Sequence, residues 1–103
     1  MPHLVTILLP LQFKHGGEVP SERFDAVKHH LTERHGGLTA HTRAPAEGRW
    51  TGGNDGVAQD DIVVFEVMVG DLDRDWWRAY RRGLERDFEQ DEIVIRVHEV
   101  EVL

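Results

Sequence analysis

Ile62-Val63-Val64-Phe65-Glu66-Val67-Met68-Val69 carries the strongest structural signal in the chain. Its short length and β-branched residues mark a strand. Val63, Phe65, Val67 and Val69 fall on one face; Ile62, Val64, Glu66 and Met68 fall on the other. Both faces are mostly apolar, which predicts a central strand covered on both sides. Gly70 breaks the run. His3 to Pro10 repeats the pattern with Leu4, Val5, Ile7, Leu8 and Leu9, and Leu11 and Phe13 extend it past Pro10. Two other stretches read as edge strands. In Leu38–Arg43, Leu38, Ala40 and Thr42 alternate with Thr39, His41 and Arg43. Near the end, Ile93, Ile95 and Val97 alternate with Val94, Arg96 and His98. The pattern slips at Val100 and Val102, which predicts a bulge near His98 or Glu99.

Helical spacing fills the intervals. Phe24, Val27 and Leu31 follow Ser21, a fitting N-cap, and Glu22 favours the helix dipole. Gly36 and Gly37 end this helix, predicted over Ser21–His35. Asp71 and Asp73 signal a second start. Trp77, Tyr80, Leu84 and Phe88 then form an apolar stripe, and the helix is expected to end near Gln90. Gly83 on this helix is expected to permit close packing. Lys14–Pro20 reads as a loop, and the stretch 44–59 as an irregular connection with a hairpin turn at Gly52–Gly56.

Composition excludes several chemistries. The chain has 103 residues and reads as one domain, 1–103. It has no cysteine, so disulfides, thiolate nucleophiles and Cys-bound zinc are ruled out. Ser21 is the sole serine, and the Gly-x-Ser-x-Gly elbow of serine hydrolases is absent. The net charge of −7 argues against binding a phosphate backbone. No apolar run approaches a membrane span, and no basic region leads into a signal core, so a cytoplasmic protein is expected.

The element order β-α-β-β-α-β predicts an α+β, ferredoxin-like sandwich. Its four-stranded antiparallel sheet would run in the order 4-1-3-2, with two helices on one face. The two strands apolar on both faces would then be the central ones. Val5, Ile7, Leu9, Leu38, Ala40, Val63, Phe65, Val67, Ile93, Ile95 and Val97 would pack under the helices. The opposite face would carry Leu4, Leu8, Ile62, Val64 and Met68 into water. A patch of that kind marks an interface, and pairing of two open sheet faces in a homodimer would cover it.

In its element order, its two-faced strands Leu4–Leu9 and Ile62–Val69 and its helix Asp73–Gln90, the whole chain resembles the dimeric α+β barrel superfamily of ferredoxin-like proteins. The resemblance is architectural and includes no catalytic motif. It implies a homodimer and a lumen pocket for a small organic molecule. That superfamily includes cofactor-free monooxygenases, isomerases of small ring compounds and haem enzymes, so it does not specify a reaction.

Polar residues on the open face supply the candidate site. Alternation places Thr6, His41, Arg43, Glu66, Arg96 and His98 there. His41 or His98 would act as general base, and Glu66 would orient a histidine. Arg43, Arg96, Thr6 and Trp50 would bind substrate, with Trp50 as an aromatic wall in the 44–59 loop. The competing reading is a structural Glu66–Arg pair with the edge histidines in solvent. No cofactor is expected. His29, His30 and Glu33 share one helical turn, but a metal site needs three or four converging ligands. The His-Gly-Gly triplets at 15–17 and 35–37 fit a loop and a helix end. Arg74, Arg78, Arg81, Arg82 and Arg86 are interleaved with Asp73, Asp75, Glu85, Asp87 and Glu89, and read as a largely self-neutralised helix face rather than a nucleic-acid patch. Nor do the central strands show the open-face aromatics that RNA-recognition modules use to stack bases. Three functions remain: an isomerase-like or cofactor-free oxygenase-like barrel, a non-enzymatic dimeric binding module, and a histidine-based metal-binding dimer.

Overall fold

Alternating burial sets the sheet. In a computed structural model that describes residues 1–43 and 62–103, β1 spans His3–Pro10 and β3 spans Ile62–Val69. Between them come α1 (Ser21–His35) and β2 (Thr39–Arg43); after them come α2 (Arg74–Asp87) and β4 (Val94–Glu99). The strands form one four-stranded sheet in the order β2-β3-β1-β4, which read from the other edge is 4-1-3-2. All three pairings are antiparallel. This α+β fold is compatible with a ferredoxin-like architecture. Among the described residues, no helix is long and apolar enough to cross a membrane.

Both helices cover the same sheet face. Phe24, Val27 and Leu31 of α1 and Trp77 and Leu84 of α2 share one core with Val5, Ile7, Leu9, Val63, Phe65 and Val67. The fully buried ones among them, Val5, Ile7, Leu9, Leu31, Phe65 and Val67, each contribute about 1.5–3 kcal/mol of apolar transfer free energy. Phe88 completes the core just beyond α2, fully buried and edge-on to Phe24 at 5.3 Å.

Several local expectations change. Pro20, not Ser21, holds the N-cap position of α1, and no side chain caps that end. Ser21 is already helical and exposed because the extended backbone ends one residue earlier. Gly36 ends α1 at φ 84°, the left-handed geometry glycine allows. α2 stops at Asp87, short of Gln90. Phe88 leaves the helical path and Glu89 turns at φ 52°. Gly83 sits in no close helix contact; a Cβ there would meet only the Arg86 guanidinium at 3.5 Å. Ala40 is exposed rather than packed under a helix, because β2 is an edge strand. β4 carries no bulge: its register to β1 runs unbroken to Glu99. The apolar slip at Val100 arises because the strand ends there, where Val100 N–H donates to Pro2. Leu11 and Phe13 do not extend β1; the chain turns back through a bridge between Gln12 and Glu18. Trp50 and the hairpin turn at Gly52–Gly56 lie outside the described residues.

Candidate functional site

Strand register converts the open-face residues into rows. One row runs His41, Val64, Leu8, Val94 across the sheet. The next runs Thr39, Glu66, Thr6, Arg96. A third runs Met68, Leu4, His98. Arg43 pairs with Ile62 at the far end of β2. Thr6, His41, Glu66, Arg96 and His98 therefore belong to the predicted side of the sheet. They do not all meet.

His41 and Glu66 do meet. They occupy neighbouring rows on adjacent strands, and His41 Nε2 lies 3.4 Å from Glu66 Oε1. That distance is at the outer limit of a hydrogen bond. Glu66 is half-buried and His41 more open. If Nε2 carries the proton toward Glu66, Nδ1 is left basic, the arrangement a general base needs. Thr6 stands between Glu66 and Arg96 in the register, so the two charges sit two strands apart, about 10 Å across the sheet. Among the described side chains, which do not include that of Arg43, no arginine pairs with Glu66, and its ionic partner is His41. His98 pairs with Leu4, one row further and two strands from Glu66.

A depression of about 400 Å³ adjoins Glu66. Leu4, Met68, Thr39, Leu38 and the α1 end at His35–Gly37 line its other walls. Val64 departs from its expected exposure, being only 7% accessible between Leu8 and His41. Met68 and Val94 remain exposed on the same face. A larger depression, about 620 Å³, lies elsewhere, between the helices. Ala26, Ala79 and Gly83 leave room above a floor of Val27, Leu84 and Phe88, while Arg23 and Arg86 offset Glu22 and Asp87. It shares no residue with the His41–Glu66 pair, and its charges point to no particular ligand.

Sequence reading did not single out the cluster where the helices meet. Trp76 stacks on Tyr80 at 4.9 Å and on His30 at 5.8 Å, and Arg34 lies 4.1 Å over its ring. His35 stacks on Trp77 at 5.3 Å, with its Nε2 buried and without a hydrogen-bond partner among the described residues. Desolvation, then Arg34 and His30, holds the His35 pKa below its ordinary value. Burial, with Asp87 adding to it, pushes the Tyr80 phenol up to about 12. The i, i+4 spacing of Trp76 and Tyr80 was the available signal. The remaining histidines make contacts elsewhere: His3 Nδ1 lies 3.3 Å from the Gly70 carbonyl, His15 contacts Glu89 at 3.0 Å and His29 contacts Glu33 at 3.3 Å. Among the described residues, no three His, Asp or Glu side chains gather to hold a metal.

No protein-family model, curated protein or solved structure matches this chain.

Proposed function

We propose that two copies pair through their open sheet faces and bind or transform a small organic molecule in the lumen between them. The supporting observation is the His41–Glu66 pair beside a 400 Å³ depression, on a face that also carries Leu4, Leu8, Val64 and Met68. A carboxylate on such a face calls for a partner, and a histidine is one that can also move a proton. In this reading Glu66 orients His41, and His41 is the general base. Arg96 and Thr6 meet the polar end of the ligand, and Arg43 and Trp50 are the further binding residues of this reading. His98 serves the same lumen from the β4 edge.

The test begins with solution mass by light scattering across a dilution series. A persistent dimer is expected. Small aromatic and anionic molecules are then screened against the parent, His41→Ala and Glu66→Gln. Both variants are expected to fold and to lose binding. The pair is partly exposed, so its removal changes stability by about 1 kcal/mol or less. A stable monomer, or variants that bind every tested molecule like the parent, removes the reading. A persistent dimer that binds none of them points instead to a non-enzymatic module.

A further inference from the structure

On the helix side of the sheet, α2 presents three arginines to the groove that separates it from β4. Arg74, Arg78 and Arg81 are spaced i, i+4 and i+7, which aligns them on one stripe of the helix. They line a depression of about 180 Å³. Its other walls are apolar: Leu72, Trp77, Ile95 and Val97.

The sequence reads this run as self-neutralised, but the structure neutralises only part of it. Arg78 reaches Asp75 at 3.4 Å between exposed side chains, a weak pair. Arg81 Nε lies 3.7 Å from Glu85 Oε2, beyond hydrogen-bond reach. The same carboxylate oxygen already accepts from the Ile93 N–H at 3.0 Å. Arg81 Nε has no hydrogen-bond partner among the described residues. Among those residues Arg74 forms no ion pair, and Asp73 beside it turns Oδ1 to the Trp76 N–H rather than to Arg74. The groove is thus locally cationic in a chain of net charge −7.

We infer that this groove binds a small organic carboxylate. The carboxylate lies across the guanidinium stripe, whose planar donor forks match its two oxygens. The apolar body lies against Trp77, Ile95 and Val97. The volume equals the liquid share of about six waters, which suits a compact acid rather than a nucleotide. This site shares no residue with the open sheet face, so it stands or falls independently of the lumen.

Benzoate is the probe, titrated into the full chain and followed through the Trp77 indole and the Ile95 and Val97 methyl resonances. Saturable shifts are expected at those groups. Benzamide, its neutral counterpart, is expected to bind about tenfold more weakly or not at all. Arg78→Gln and the double variant Arg74→Gln, Arg81→Gln are each expected to weaken benzoate about tenfold. Arg74 and Arg78 are exposed, so the Arg78→Gln protein keeps the parent's fold and its remaining spectrum. The inference is overturned if benzamide matches benzoate or if the variants bind unchanged. Inorganic phosphate binding as tightly as benzoate overturns it too, since that marks a bare-anion site. So does an acidic peptide that saturates where benzoate does not, or benzoate shifts that map to Thr6 and Glu66 instead.

Discussion

His35 shows how one side chain couples packing to pH. It sits between Trp76 and Trp77, next to Arg34, with a buried nitrogen that has no partner among the described residues. The folded state therefore favours the neutral ring, and the pKa is lowered from 6.5. Unfolding restores the ordinary affinity for a proton, so the unfolded chain protonates first as pH falls. The stability tied to His35 is complete above pH 6.5 and is lost as pH falls toward the lowered folded value. His35→Phe keeps an aromatic ring on Trp77 and removes the titration. Urea melts from about pH 8 to about pH 5 are expected to show a shallower acid-side loss for this variant than for the parent. Equal slopes would remove His35 as the source. This histidine was legible in sequence only as a helix-terminal residue, because its aromatic neighbours come from another helix.

The two helices begin differently, and the difference is measurable. Asp73 Oδ1 accepts from the Trp76 N–H at 3.1 Å, a true side-chain cap on α2. α1 has no such cap, since proline has no polar side chain to offer. Asp73→Ala is expected to cost about 1 kcal/mol in denaturant melts. Ser21→Ala is expected to cost less than about 0.5 kcal/mol, as an exposed change away from any cap. A Ser21 variant as damaging as the Asp73 variant would contradict the assignment of the caps. Both starts carried the same sequence signal, a small polar residue before a periodic run. Only the backbone path decided which one capped.

At the scale of the whole molecule, the open face poses the main physical question. Val94 is 47% exposed and Met68 46%, on the same side as Leu4 and Leu8. Two sheets pressed together would remove these groups from water. Met68→Lys is expected to leave the helix-side core intact, because Met68 lies outside it. It is expected to shift the mass toward monomer on dilution, read by light scattering. A variant with the parent's dilution profile would remove sheet-to-sheet pairing through this region.

The sequence by itself determined element type, element order, and which residues share a sheet face. These follow from periodicity, because a strand repeats every two residues and a helix every 3.6. Two apolar faces on β1 and β3 were enough to put those strands at the centre. Face membership of the candidate site was legible for the same reason: Thr6, His41, Glu66, Arg96 and His98 alternate in step with their strands. Which of them meet was not. Contact depends on register between strands far apart in sequence, and register brings His41 to Glu66 while leaving Arg96 and His98 two strands away. The arginine groove belongs to the same class. Charge interleaved along a helix looks neutral in one dimension, but the tertiary structure turns Glu85 toward the Ile93 backbone and leaves Arg74, Arg78 and Arg81 facing β4.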